Sequence, residues 1–197
     1  MSDPCQKLVQ RPAHVCHAQH SGWLTSSVRR LFNNPRRILR GLAGPGDTVV
    51  DLGCGPGFFT LFLAEMVGES GHVVAVDIQE EMLARLRVRA EKANLSSRIQ
   101  PHLAGVDSIG LTGPADFALA FWMVHEVPDR DNFLREVAEI VRQGGRFLLV
   151  EPRAHVSKSA FADTLEAAKQ AGFVPIPAPR VGLSRATVFE RTPRRAV

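Results

Sequence analysis

The chain has 197 residues, a formal net charge of +4 and an apolar content of 45%, which suits one globular domain with a single buried core. No segment approaches the roughly 18 uninterrupted apolar residues of a membrane helix, and the polar first ten residues predict no signal peptide. The three cysteines are too few and too irregularly spaced for a disulfide scaffold, so we expect a reducing, cytoplasmic setting.

Positive charge is concentrated near the start of the chain. Residues 1–40 contain seven Lys and Arg residues and one acid, Asp3. Such a basic arm could contact RNA or an acidic substrate, although a solvated helical face has the same composition. Few aromatic residues lie among these arginines, so the pattern does not indicate stacking platforms for single-stranded nucleic acid.

The same segment holds a group of thiol and imidazole side chains: His14, Cys16, His17 and His20, followed by Trp23. On a helix, residues three or four positions apart share a face. Two interpretations stay open. The group could bind a transition metal or a thiophilic substrate such as a metalloid, or its histidines and Trp23 could belong to a lid that closes over a ligand. We assign residues 1–44 to an N-terminal helical lid.

Beyond this segment, predicted strands and helices alternate in chain order. A helix over 24–42 is interrupted at Asn34-Pro35, with a second helix from 35 to 42. The predicted strands cover 48–52, 72–77, 96–103, 116–121, 146–151, 173–178 and 186–191. The predicted helices between them cover 58–67, 79–93, 130–142 and 157–171.

This alternation predicts an α/β fold with a doubly wound, mostly parallel sheet and helices on both faces. The link at 179–185 is short enough for a hairpin, so the last two strands are predicted to be antiparallel.

The stretch that organises the chain runs from Thr48 to Phe59. A β-branched strand ends in three glycines at alternate positions, Gly53, Gly55 and Gly57, and an apolar helix follows. Such a turn lets a ligand lie against the main chain, and the helix start favours a carboxylate or phosphate. The dinucleotide fingerprint requires a further glycine at the position of Phe58, which weakens a nicotinamide or flavin interpretation.

A second strand ends in an acid, Asp77, twenty residues past Gly57. An acid at this position can accept both ribose hydroxyls of a nucleoside. Asp107 and Phe121 also fall at predicted carboxyl ends of strands, where ligands bind in such sheets. The sequence therefore predicts one crevice that holds a nucleoside.

From about residue 45 to 190 the chain resembles the class I S-adenosylmethionine (SAM)-dependent methyltransferases, most closely the ubiquinone-biosynthesis-like branch that acts on small molecules. The resemblance rests on the D-x-G-x-G-x-G pattern from Asp51 to Gly57 and on Asp77. It implies a Rossmann-like methyltransferase domain over 45–197, with seven strands and an antiparallel last strand. It also implies SAM as cofactor, S-adenosylhomocysteine (SAH) as product and an in-line transfer to a small-molecule acceptor.

The resemblance also implies roles for the residues of the glycine turn. Gly53, Gly55 and Gly57 would hold the methionine part of SAM. Asp51 would contact its amino group directly or through water. Cys54 lies inside the turn, where members of the family often have cysteine and where a small side chain packs well, so no catalytic role follows from its presence.

Other predicted cofactor residues follow the later strands. By the same resemblance Asp77 would bind the ribose, Ile78 would pack on the adenine, and Asp107 with Ser108 would bind the adenine amino group. The segment after strand four would line the methyl-transfer pocket through Phe121 and Trp122.

His125 is a hypothesis for a general base or a substrate-orienting group, because it follows strand four and faces the crevice if its loop curls as in the family. A loop residue that only bonds the backbone is an equal alternative. Glu126 and Glu151 are second candidates for the base. The remaining predicted substrate and lid residues are His17, His20 and Trp23.

Other functions remain as alternatives. After strand four the chain lacks the Asn/Asp-Pro-Pro-aromatic motif of enzymes that methylate base amines, which makes nucleic-acid methylation less favoured. An RNA methyltransferase that uses the basic arm and a non-catalytic SAM-binding regulator stay open. A nicotinamide oxidoreductase is disfavoured because the chain contains no tyrosine for a Tyr–Lys pair. The acceptor, any metal and the oligomeric state are left open.

Overall fold

The computed structural model describes residues 34–192, which form seven strands, five α-helices and two short 3-10 turns. The strands are β1 (Thr48–Leu52), β2 (His72–Asp77), β3 (Ile99–Leu103), β4 (Ala115–Phe121), β5 (Val141–Pro152), β6 (Phe173–Ile176) and β7 (Ser184–Arg191). The helices are α1 (Pro35–Ile38), α2 (Thr60–Val67), α3 (Glu80–Lys92), α4 (Arg130–Ile140) and α5 (Lys158–Gln170). The 3-10 turns are Ser96–Arg98 and Val124–Glu126.

All seven strands belong to one sheet, in the order β3-β2-β1-β4-β5-β7-β6. Strands β1 to β5 pair in parallel, whereas β7 runs antiparallel to both β5 and β6. The predicted fold class, a doubly wound and mostly parallel sheet with an antiparallel last strand, is confirmed for these residues. The predicted N-terminal lid lies largely outside the described residues.

Both faces of the sheet are covered, because apolar residues point alternately to its two sides. Val49 packs into one apolar cluster with Leu63 of α2 and Leu86 of α3. Its neighbour Val50 packs into a second cluster with Val137 of α4. The chain therefore builds three layers, with α1, α2 and α3 on one face of the sheet and α4 and α5 on the other.

Several predicted boundaries are wrong. The strand predicted over 96–103 begins at Ile99, after the 3-10 turn Ser96–Arg98, and the strand predicted over 173–178 ends at Ile176.

Two helices also end earlier than predicted. The helix predicted over 35–42 ends at Ile38, because Gly41 has a φ of +72° that no right-handed helix can include. The helix predicted over 130–142 ends at Ile140, because Val141 is extended and pairs with Ala115. Strand β5 thus begins five residues earlier than predicted, and a register shift separates this first pair from the remaining pairs with β4.

Within residues 34–192, no helix has both the length and the apolar character needed to cross a lipid bilayer. The order of the strands reverses between β1 and β4, which lie side by side at the centre of the sheet. In open α/β sheets this reversal leaves a crevice beyond the carboxyl ends of the strands, and ligands bind there.

Candidate active site

A cavity of about 950 Å³ opens at the carboxyl ends of the parallel strands. All the predicted cofactor residues except Gly57 line it: Asp51, Gly53, Cys54, Gly55, Asp77, Ile78, Asp107, Ser108, Phe121 and Trp122. His125 and Glu126 line it as well, whereas Glu151 does not. Residues from six loops therefore meet in one cavity. The most distant pair in the chain, Asp51 and Leu183, is 132 positions apart.

The loops after β1 and β2 are joined by the carboxylate of Asp77. Its Oδ2 accepts a hydrogen bond of 2.8 Å from the Gly55 amide, and its Oδ1 accepts one of 2.9 Å from the Gln79 amide. Burial raises the pKa of Asp77, and these backbone hydrogen bonds act in the opposite direction. The carboxylate that was predicted to bind ribose therefore also holds the glycine turn in place.

Two glycines of the turn have different surroundings. A Cβ added at Gly55, which has a φ of +53°, would meet no protein atom within 4 Å. A Cβ added at Gly57, which has a φ of +83°, would lie 2.3 Å from Cδ1 of Leu86. Gly55 thus leaves open space at the cavity, whereas Gly57 lets the turn pack closely against α3.

Asp51 lies at the end of β1 and is 2% exposed. Its Oδ2 accepts a hydrogen bond of 2.6 Å from the hydroxyl of Thr60, the first residue of α2. Thr60 is fully buried and was not predicted as part of the site. Its position at the start of a largely apolar helix is the signal in the sequence that could have found it.

Cys54 is a packing residue of the turn. Its amide donates a hydrogen bond of 2.9 Å to the carbonyl of Val76 in β2. Burial raises the pKa of the thiol well above its ordinary value, and the nearby carboxylates of Asp51 and Asp77 raise it further. The thiol is therefore held in its protonated, weakly nucleophilic form.

The loop after β3 is anchored to α4 by Glu136. Oε2 of Glu136 accepts hydrogen bonds from the Ile109 amide at 2.6 Å and from the Ser108 hydroxyl at 3.1 Å. The carbonyl of Asp107 accepts one of 3.3 Å from Asn132. Ile78, in the loop after β2, has an exposed fraction of 40%. Glu136 and Asn132 were missed, because a polar side chain on the exposed side of a helix is ordinary.

Aromatic rings form the floor of the cavity. The ring of Phe121 lies 4.3 Å from that of Phe59 and 5.2 Å from that of Trp122, measured between centroids. Trp122 has a φ of +63°, which is unusual for a bulky residue and costs conformational energy. Its indole N–H donates a hydrogen bond of 2.9 Å to the hydroxyl of Ser184 in β7, which fixes the ring.

His125 and Glu151 are in direct contact. Nδ1 of His125 lies 2.5 Å from Oε2 of Glu151, and Nε2 lies 3.9 Å from Oε1 of Glu126. The second oxygen of Glu151 accepts a hydrogen bond of 2.9 Å from the Val124 amide. The hydrogen bond to Glu151 raises the pKa of His125; burial opposes this, and the charges of Glu151 and Glu126 add to it.

Further residues beside the predicted ones line the cavity near His125. The ring of His155 lies 5.7 Å from that of His125. Arg153 donates a hydrogen bond of 3.2 Å from Nε to the carbonyl of Ser184. These residues were not predicted, since they follow β5 in a loop without a recognisable motif.

The remaining predicted site residues, His17, His20 and Trp23, lie outside the described residues, as do His14 and Cys16. In the part of the chain that the structure describes, no group of three His, Cys, Asp or Glu side chains could hold a metal ion.

Comparisons with known proteins agree with this geometry. A family described as "Methyltransferase domain" matches residues 43–174, two thirds of the chain. The chain therefore belongs to this family, within the class I SAM-dependent methyltransferases. Its fold matches a solved SAM-dependent methyltransferase from Aquifex aeolicus with a TM-score of 0.77 and 23% identity, over 88% of this chain and 96% of the other.

Curated relatives match a shorter part of the chain. It is 32% identical to the ubiquinone/menaquinone biosynthesis C-methyltransferase UbiE of Vibrio vulnificus over 55% of this chain and 42% of that protein. It is 29% identical to an arsenite methyltransferase of Halobacterium salinarum over 52% of this chain and 26% of that protein. The chain thus spans less than half the length of both relatives.

Proposed function

We propose that this protein transfers the methyl group of SAM to a small-molecule acceptor and releases SAH. The observation that carries the proposal is the link between Asp77 and the Gly55 amide, which joins the loops after β1 and β2 at the carboxyl edge of the sheet. A buried carboxylate, an open glycine and a large cavity meet there, and this combination suits an aminoacyl nucleoside.

The residues of the cavity fit SAM along its whole length. The open space at Gly55 and the carboxylate of Asp51 suit the amino-acid part, and Asp77 suits the ribose. Ile78 and the loop around Ser108 suit the adenine. When bound, SAM supplies a methyl group activated by a positively charged sulfur.

The acceptor would occupy the other half of the cavity, against Phe121 and Trp122. The volume of about 950 Å³ lies near the upper end of the roughly 300–1,000 Å³ of ligand pockets, which leaves room for a second small molecule beside the nucleoside. The apolar floor excludes water and aligns the two partners, and most of the rate of a displacement can come from such positioning. His125 and Glu126 are the candidates for handling a proton there.

The names of the two relatives reported above describe a C-methyltransferase of ubiquinone and menaquinone biosynthesis and an arsenite methyltransferase. These names support a small-molecule acceptor for this chain. The proposed cytoplasmic setting rests instead on the three irregularly spaced cysteines. An RNA acceptor is not favoured, because the segment after β4 lacks the paired prolines of base-amine methylases.

Calorimetry with SAH and SAM tests this function. We expect one-to-one binding of both compounds, followed by methyl release from labelled SAM in a screen of hydroxyl, thiol, amine, carbon and metalloid acceptors, with RNA at moderate salt as a further sample. Absence of SAH binding would contradict the proposal. Tight binding with intact SAM in every sample would support a regulator without turnover instead.

We further propose that the N-terminal segment 1–44 contributes a lid and specificity element over residues 45–197, through the part that precedes α1, since Ile38 and Leu39 are buried in the apolar core. The His14, Cys16, His17 and His20 group supports this, since imidazoles near Trp23 could close over an acceptor. We expect the double variant His17→Ala/His20→Ala to bind Zn²⁺ as weakly as the wild type while its turnover falls. Stoichiometric Zn²⁺ binding that the double variant loses would instead identify a metal site.

A further inference from the structure

We propose that His125 and Glu151 form a base dyad, in which Glu151 positions the imidazole and Nε2 of His125 takes a proton from the methyl acceptor. The acceptor would therefore arrive as a hydroxyl or a thiol. This inference rests on the proposed methyl transfer and specifies its substrate class.

Glu151 is placed to position His125 and not to contact a substrate. It is 2% exposed and does not line the cavity. One carboxylate oxygen accepts from the Val124 amide and the other lies 2.5 Å from Nδ1 of His125. Because a carboxylate only accepts hydrogen bonds, Nδ1 carries the hydrogen, and the neutral imidazole presents a lone pair at Nε2.

His125 is accessible from the cavity, whereas Glu151 is not. It lines the cavity, and its side chain is 22% exposed. The titratable groups facing it are Glu151 from β5, Glu126 from its own turn and His155 from the loop after β5. The two carboxylates favour the protonated imidazole and raise the pKa of His125, which strengthens it as a base.

The dyad has a use only when the nucleophile carries a proton that must leave. An aryl amine such as aniline is already neutral near pH 7 and attacks through its lone pair, whereas a hydroxyl or thiol gains nucleophilicity on deprotonation. The O–H or S–H bond breaks and its proton passes to Nε2. The freed electron pair forms the bond to the methyl carbon, the carbon–sulfur pair stays on the departing SAH, and the imidazolium then releases its proton to water.

Nitrogen-15 spectra of the imidazole test the dyad in the free protein, without SAM or acceptor. We expect the Nδ1–H form of neutral His125 and a pKa above the ordinary value of about 6.5. Glu151→Gln should lower this pKa, and Glu126→Gln should lower it less. Glu139→Gln, an exposed change on α4, is the matched control and should leave it unchanged. An Nε2–H form in the wild type, or an unchanged pKa in a folded Glu151→Gln protein, overturns the dyad.

Turnover tests the substrate class with phenol, thiophenol and aniline as probes and labelled SAM. We expect methylation of phenol or thiophenol, a loss of about 10²–10⁴-fold in His125→Gln, and unchanged SAH affinity. Since only neutral His125 accepts a proton, kcat/KM rises with pH through its pKa, and Glu151→Gln should move this rise to lower pH. Methylation of aniline alone or of none of the probes, or full activity of His125→Gln, overturns the inference.

The two proposals can fail separately. A wild-type protein that does not bind SAH contradicts the methyltransferase function, whatever the imidazole spectra show. A protein that binds SAH and methylates an acceptor, but lacks the Nδ1–H form of His125, contradicts the dyad alone.

Discussion

Replacement of Asp77 by alanine is expected to weaken SAH binding by about 100-fold. A hydrogen bond to a charged group contributes about 1.5–3 kcal/mol, and each 1.4 kcal/mol corresponds to about tenfold in affinity. The change removes the predicted ribose contacts. It also removes the acceptor of the Gly55 and Gln79 amides, so the turn loses the bond that shapes it. Calorimetry with SAH measures the effect.

Two further variants separate binding from folding. Asp77→Asn keeps the shape and one acceptor oxygen, so we expect an intermediate loss of affinity. Asp116→Asn is the matched control at the amino end of β4, where the carboxylate accepts from the Thr48 amide at 2.8 Å and from Arg142 at 2.6 Å. SAH affinity of Asp77→Ala within threefold of the wild type, in a folded protein, would show that the carboxylate does not hold the nucleoside.

Gly57→Ala is expected to destabilise the fold by about 2–5 kcal/mol. The left-handed backbone costs a non-glycine residue about 1–2 kcal/mol, and overpacking a core costs about 1–3 kcal/mol. Both costs apply to this variant. The φ of Gly57 is +83°, and the new Cβ would lie 2.3 Å from Cδ1 of Leu86, which is fully buried. Urea unfolding measures the loss of free energy of unfolding.

Gly55→Ala is the matched comparison. Its φ of +53° carries the same backbone cost, but its Cβ would meet no protein atom within 4 Å. We expect a stability loss of only about 1–2 kcal/mol with a large loss of SAH affinity, since the added methyl group enters the space proposed for the ligand. Equal losses of stability in the two variants would contradict this division of roles between the glycines.

Much of the fold was predictable because its signals are local. The strand from Thr48 and the glycine turn show in the sequence as β-branched residues followed by glycines at alternate positions. The acid at Asp77 ends a second apolar run, and parallel strands bring such ends to one edge of the sheet. Boundaries were less predictable. Val141 continues an apolar helical pattern, and only its pairing with Ala115 makes it a strand residue.

Contacts in the acceptor half of the cavity could not be predicted, because they join distant segments. Glu151 meets His125 across 26 positions, and Ser184 meets Trp122 across 62. No local pattern marks such pairs, since each partner alone resembles an ordinary loop or strand residue.

The sequence by itself determined the class of fold, the glycine turn and the acid of the neighbouring strand, because backbone conformation and alternating burial depend on residues close together in the chain. Only the tertiary structure decided that the carboxylate of Glu151 contacts the imidazole of His125. It also decided that Phe59 and Phe121 form part of the floor of the cavity. Those choices depend on the order of the strands in the sheet, which sets side chains from remote positions within hydrogen-bonding distance.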